Sequence, residues 1–224
     1  SAIRNLLAHT AKYKWLLFLD ADVIPVRSNF VKNYIACFKK EHTVFCGGIL
    51  YQNKKENFSL LRYKYGKKHE EISSQQRNKN PEKYFFTSNF LIQKSVFDVV
   101  KFDENLTQYG KEDFLFSLQL IQKNYQVAHL NNEAYHLGLD ANTLFVIKTK
   151  KAMENLVFLD NQDLIDAKEM PLLLLVQKIS FIKMIHTVAK FYPFFEKLTI
   201  KKSSVFFLNC LKVSYICRLK SEQK

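Results

Sequence analysis

The chain has 224 residues, yet it holds only five glycines, four prolines and one tryptophan. So few turn-formers exclude a turn-rich all-β fold and favour helices and uninterrupted strands. The four cysteines, Cys37, Cys46, Cys210 and Cys217, make no CxxC pair and no zinc-ligand spacing. That argues against a disulfide-stapled secreted domain, and they read as reduced, buried apolar residues. No apolar run is long enough to span a bilayer, and no signal-peptide pattern is present, so a cytoplasmic location is expected. Acids are in deficit too: 21 Asp and Glu face 34 Lys and Arg, a formal charge of +13. This imbalance implies an anionic partner, and nucleotide diphosphate, nucleic acid and anionic lipid all qualify. What the chain does have is apolar residues, 47% of the total, which excludes disorder.

Residues 1–13 read as a helix with Ile3, Leu6, Leu7 and Ala11 on one face. It leads straight into Trp15-Leu16-Leu17-Phe18-Leu19, which predicts a strand covered on both faces of a parallel sheet. A chain opening in this way reads as a fragment. Helical spacing follows over 29–40, then a strand over 43–51 interrupted by Gly47-Gly48, where a bulge or a close ligand approach is expected. Residues 54–83 are polar and read as a long excursion with one short helix, outside the core. A strand is predicted over 84–93, helices over 95–100 and 112–123, and a strand over 126–130. Helices alternating with apolar strands indicate an α/β fold. Beyond about 140 the pattern becomes helical, with helices over 145–159 and 171–192. A last segment, 197–220, alternates basic residues with Val205, Phe206, Phe207, Leu208, Leu211, Val213, Tyr215 and Ile216. From Ala167 onward eleven Lys or Arg face three Glu, a net +8. Such a basic amphipathic tail suits an anionic membrane surface. The expected division is an α/β domain over 1–150 and a helical region over 151–224.

Asp20-Ala21-Asp22 directly follows the first apolar strand. In extended backbone, residues two apart point the same way, so both carboxylates are expected on one side. Two carboxylates that close repel unless a cation separates them. Hard oxygen ligands at a strand end suit Mg²⁺ or Mn²⁺ holding a diphosphate, and ligands bind at the carboxyl edge of open α/β sheets. Glu112 and Asp113 follow the turn Tyr109-Gly110. They read either as helix caps or as a pair that hydrogen-bonds an acceptor and takes a proton from its hydroxyl. His136, after a strand, is either a structural histidine or a third metal ligand at the same edge.

The order is an Arg4-Asn5 helix, an apolar strand into Asp20-Ala21-Asp22, a strand with Gly47-Gly48, and Thr87-Ser88-Asn89-Phe90-Leu91-Ile92. After these come Phe102-Asp103-Glu104, Tyr109-Gly110-Lys111-Glu112-Asp113 and Tyr135-His136-Leu137-Gly138. Over residues 1–150 this order resembles family 2 glycosyltransferases of the GT-A fold, especially bacterial ones with an Glu-Asp motif. The resemblance implies a Rossmann-like, mixed, mostly parallel sheet flanked by helices, with a helical carboxyl-terminal tail. It implies transfer of a sugar from a nucleotide-sugar, of UDP type, to a saccharide or lipid-linked saccharide acceptor in cell-surface polysaccharide synthesis. Asp22 would bind a divalent metal, Mn²⁺ or Mg²⁺, directly, with His136 as a further ligand and Asp20 on the ribose or a metal-bound water. Arg4, Asn5 and Ala21 would lie on the donor side, and Arg77 in a flexible segment closing over the donor. Thr87, Ser88 and Asn89 would line the sugar pocket. Asp113 would be the general base of an inverting displacement, and Glu112 would position the acceptor. The family's amino-terminal nucleotide-gripping units have no counterpart here, so weak nucleotide binding by this chain alone is expected.

Two other readings remain. A haloacid-dehalogenase-type phosphatase also sets Asp-x-Asp at a strand end, but its later Gly-Asp-x-x-x-Asp pair is missing. A non-catalytic basic module is the other. A membrane surface fits it better than nucleic acid, which needs basic and exposed aromatic residues interleaved on an ordered surface, and the 54–83 segment carries acids as well.

Overall fold

The computed structural model describes residues 1–106, 109–167 and 170–223, a mixed α/β chain of two compact units. The first comprises Ser1–Lys55, Tyr65–Leu106 and Glu112–Leu139. The second comprises Glu56–Lys64 with the described residues of 107–111 and 140–224. The expected boundary at 150 is not observed, because one helix of 20 residues, Asn142–Asn161, runs through it.

The first unit is built on a four-stranded sheet in the order β1-β5-β3-β6, with β1 Trp15–Leu19, β3 Val44–Cys46, β5 Asn89–Gln93 and β6 Val127–His129. The pairings β1–β5 and β3–β5 are antiparallel, and β3–β6 is parallel. This corrects the expected mostly parallel sheet. Strands β1, β3 and β6 share one direction, and β5 lies reversed between two of them. Its first residue, Asn89, pairs with Leu19 at the carboxyl end of β1. The chain therefore enters β5 from the end where β1 and β3 finish, and can only run back.

Side-chain alternation divides the core. Leu16, Val44, Cys46, Phe90, Ile92 and Val127 face one side, with Phe97, Phe102 and Phe116. Phe45 and Leu91 face the other, with Phe30 and Tyr34. Helices α1 Ala2–Thr10, α5 Lys94–Val99 and α6 Glu112–Gln122 supply the first layer, and α2 Phe30–Ile35 the second. Trp15 stacks on Phe38 at 5.0 Å, but Leu17 and Leu19 on the same face are 37% and 41% exposed. The expectation that β1 is covered on both faces thus fails for these two residues.

A second sheet, β2-β7-β4, continues the first. Strand β1 leads through Asp20-Ala21-Asp22 into β2 Val23–Pro25, β3 through Gly47-Gly48 into β4 Ile49–Leu50, and β6 through residues 130–133 into β7 Ala134–His136. The chain crosses this seam three times, and backbone groups leaving the ladders there need partners. Buried Asn89 provides several: its Nδ2 donates to Gly48 O (2.8 Å) and Asn132 O (2.9 Å), and its Oδ1 accepts from the Tyr34 hydroxyl (2.7 Å). Arg77 Nη2 donates to Leu130 O (2.7 Å) and Gly47 O (3.2 Å). The glycine pair makes room for both. A Cβ on Gly47 would lie 2.4 Å from Asn89 Nδ2, and one on Gly48, at φ +83°, would lie 2.0 Å from Arg77 Nη1. The close approach expected at these glycines is made by the protein's own side chains.

The polar stretch 54–83 is more ordered than expected. It holds α3 Leu61–His69 and α4 Ser74–Arg77, and it buries Leu61, Tyr63 and Arg77. After α4, the Asn78 side-chain amide exchanges two hydrogen bonds with the His129 backbone (2.9 and 2.8 Å), which covers the outer edge of β6.

In the second unit, α7 Asn142–Asn161, α8 Pro171–Phe181, α9 Ile185–Lys190 and α10 Tyr192–Lys202 accompany α11 Val205–Glu222. Leu208, Leu211, Tyr215, Ile216 and Cys217 of α11 are buried with Val146, Met153, Leu156 and Leu173. Much of the apolar set expected to face a membrane therefore belongs to this core. The single helix expected over 171–192 is two. Met184 N donates to Ile179 O (3.1 Å) and Lys183 N to Ser180 O (2.9 Å), and Lys183 sits at φ 58°, a helix-ending turn in which glycine is usual. No described helix is long and apolar enough to cross a membrane.

Replacing Asn89 by Leu would strand two buried carbonyls and the Tyr34 hydroxyl. At roughly 1–3 kcal/mol per unsatisfied group, urea unfolding should show a loss of about 3 kcal/mol or more. A loss below about 0.5 kcal/mol, the range of neutral surface changes, would mean that the seam does not depend on Asn89.

Candidate active site

At the end of β1, Asp20 N still donates to Ser88 O (3.2 Å), extending the ladder by one residue. The backbone then turns, and Val23 N donates to Asp20 O (3.2 Å). Residues 20–22 are therefore not extended, and the two carboxylates separate. Asp20 Oδ1 accepts from Arg4 Nη2 at 2.6 Å. Asp22 instead lies beside β7: its Oδ2 is 3.7 Å from His136 Nε2. Two backbone features fix that approach. Val23 pairs with His136 across β2 and β7, and Leu137 N donates to Asp22 O (2.8 Å). Gly138 leaves the space, since a Cβ there would fall 1.9 Å from Asp22 Oδ2. The Tyr51 ring lies 5.7 Å from the His136 ring. Tyr51 is itself held, its hydroxyl donating to the Glu70 carboxylate and its N to Glu71 (2.9 Å). Sequence reasoning missed Tyr51 and Gly138 as neighbours of the site. The glycine in Tyr135-His136-Leu137-Gly138 was the available signal.

Asp113 of α6 is tied to the end of β1 through residues 87–89. Asp113 Oδ1 accepts from Thr87 Oγ1 (2.8 Å) and Oδ2 from Thr87 N (3.2 Å). Burial pushes the Asp113 carboxyl up to about 6 and the Glu112 charge adds to this, against the two Thr87 hydrogen bonds and the Arg4 charge. Arg4 thus stands between Asp20, which it binds, and Asp113, which it influences by charge. Three consecutive residues hold three parts together: Thr87 holds Asp113, Ser88 holds the Asp20 backbone, and Asn89 holds the seam.

Several expected positions differ. Thr87, Ser88 and Asn89 are all buried, and Asn89 uses its whole amide internally, so it is not a sugar-facing group. Arg77 belongs to no open flap: it is fully buried in α4, and its Nη2 is bonded to two carbonyls while Nε and Nη1 have no hydrogen-bond partner among the described residues. Asn5 is occupied too, donating to Phe102 O (2.9 Å) and Glu104 Oε1 (2.8 Å) and accepting from Phe102 N (3.0 Å). It ties α1 to residues 102–104. Ala21 is exposed on the turn.

Of the expected metal ligands, Asp22 and His136 come together while Asp20 is turned to Arg4. Among the described residues no group of three or more Asp, Glu, His or Cys side chains gathers as a metal site. A pair of ligand atoms 3.7 Å apart can still share one ion through bonds of roughly 2.1 Å, with phosphate oxygens and water completing the shell.

Near the seam, burial and the Arg77 charge pull the imidazole of His129 down to about 4, against its hydrogen bond to Pro81 O. A histidine lowered in the fold contributes stability above its ordinary 6.5 that is lost as pH falls towards 4. An aspartate raised from 3.8 to about 6 acts oppositely, so its contribution falls as pH rises through that window. Asp113→Asn should therefore steepen the gain in unfolding free energy between about pH 4 and 6, measured by urea titration. An unchanged slope would contradict the raised Asp113. No model of a known protein family matches the chain, and no curated protein matches it.

Proposed function

We propose that this chain carries the metal and acceptor side of a GT-A-type glycosyltransferase resembling family 2. The reaction moves a sugar from a nucleotide-sugar, of UDP type, to a saccharide or lipid-linked saccharide acceptor in cell-surface polysaccharide synthesis. The observation that supports this best is the approach of Asp22 to His136, 3.7 Å across the β2–β7 pair, together with an Asp113 held by Thr87. A chance pair of acids after an apolar strand has no need of a histidine opposite it, nor of a glycine at 138 that leaves the carboxylate room.

In this reading Asp22 and His136 hold Mn²⁺ or Mg²⁺, whose charge offsets that of the departing nucleotide diphosphate. Asp113, raised to about 6, is ionised at neutral pH and still basic enough to take a proton from a sugar hydroxyl in the transition state. The acceptor oxygen bonds to the anomeric carbon as the carbon–oxygen bond to the diphosphate breaks, and a single displacement inverts that carbon. Glu112, at the first turn of α6, hydrogen-bonds the acceptor. Arg4 keeps Asp20 on the donor side and draws its charge away from the Asp113 carboxyl.

Transfer from a UDP-sugar to a saccharide acceptor tests the assignment when two variants are compared with the parent. Asp22→Ala should abolish metal-dependent turnover and weaken retention of Mn²⁺ with UDP. Asp113→Asn should keep that retention while turnover falls by about 100-fold or more. Full turnover in Asp113→Asn would remove it as the base, and unchanged Mn²⁺ retention in Asp22→Ala would remove the metal site.

A further inference from the structure

The second unit carries an exposed surface of unusual make-up. Phe181 is 88% exposed and Phe206 69%, and Ile182, Met184, Phe191 and Phe194 are also exposed. Single exposed apolar residues are ordinary, but a cluster in one short stretch marks an interaction surface. Three of the six, Phe181, Ile182 and Met184, form the corner between α8 and α9, at the turn where Lys183 takes a positive φ. A shallow apolar groove lined by Val188, Phe195, Phe206 and Val213 lies between α9, α10 and α11.

The charges along this stretch of chain are nearly all of one sign. Between residues 171 and 204 stand six lysines, Lys178, Lys183, Lys190, Lys197, Lys201 and Lys202, all exposed. The one acid in that stretch, Glu196, is bound to Lys150 at 2.7 Å. On α10, Phe194, Lys197 and Lys201 are exposed at helical spacing and share a stripe. Protein–protein interfaces are depleted in lysine, with arginine the preferred cation, whereas lysine beside exposed phenylalanine suits a bilayer surface. There the alkyl stem lies along the apolar zone and the ammonium reaches the phosphates.

We propose that the α8–α9 corner, with the exposed stripe of α10, docks on an anionic bilayer: Phe181, Ile182 and Met184 enter the acyl boundary and the surrounding lysines bind lipid phosphates. The surface stands independently of the transferase reading, since none of its residues belongs to the first unit. It also relocates the membrane contact expected of the tail, because Leu208, Leu211, Tyr215 and Ile216 of α11 are buried.

The test is sedimentation of the full chain with phosphatidylcholine vesicles, with and without phosphatidylglycerol. Binding is expected only with phosphatidylglycerol, weakening with salt. Phe181→Ser combined with Ile182→Ser should lower it by about tenfold or more, and Lys183→Gln or Lys190→Gln by about fivefold each. Lys39→Gln, at an exposed lysine of the first unit, is the charge-matched control for each lysine change and should alter binding much less. Phe181→Trp should add a blue-shifted emission that brominated acyl chains quench. Equal losses in the control, or binding indifferent to the Phe181 and Ile182 changes, would reduce the attraction to net charge and overturn the proposal. So would self-association, or binding to duplex DNA, that is lost in the Phe181 and Ile182 variant while vesicle binding is not.

Discussion

The first unit depends on satisfying the backbone where three strands leave one sheet for another. At that seam the ladder partners change within two to four residues, and each crossing exposes amides and carbonyls to a dry interior. Asn89 and Arg77 resolve this from opposite sides of the glycine pair, with both side chains used for carbonyls. The arrangement is expensive to alter, because losing either side chain leaves acceptors that water cannot reach. What rests on the seam is chemical. The turn at Asp20 to Asp22 is one crossing, and the strand bearing His136 follows another.

Residues 87–89 carry the same logic into the candidate site. A buried asparagine would fix the sheet alone, but its two neighbours bind Asp113 and the Asp20 backbone. Acid–base geometry and fold stability are therefore coupled through three adjacent residues. The raised Asp113 is a stability cost above its titration range, one that a purely structural helix cap would not carry. The opposite sign at His129 shows that burial acts on each group according to which form is charged.

Much of the element order was legible in the sequence, since apolar periodicity and a helix face survive in most contexts. The helix at 112–122 and the strands at 15–19 and 127–129 lie where their patterns put them. Side-chain direction was less legible. Alternation assigned both acids of Asp20-Ala21-Asp22 to one side, but a single i to i+3 hydrogen bond turned them apart. Arg77 lay in a stretch whose composition reads as solvated, and composition does not reveal which cation finds buried carbonyls. The break after Phe181 has a lysine where glycine is usual, so no breaker residue announced it. The continuous run at 15–19 predicted two covered faces, yet Phe38, just past α2, stacks on Trp15 while Leu17 and Leu19 stay exposed.

The pairing of Asp22 with His136 as the ligands of a metal–diphosphate is the claim on which the functional account turns. The chain has six histidines, and their imidazole resonances can be followed together while Mn²⁺ and UDP are added. The account predicts that the His136 signals broaden first and that Asp22→Ala delays them. Broadening that begins at another histidine, or at all six alike, would contradict it.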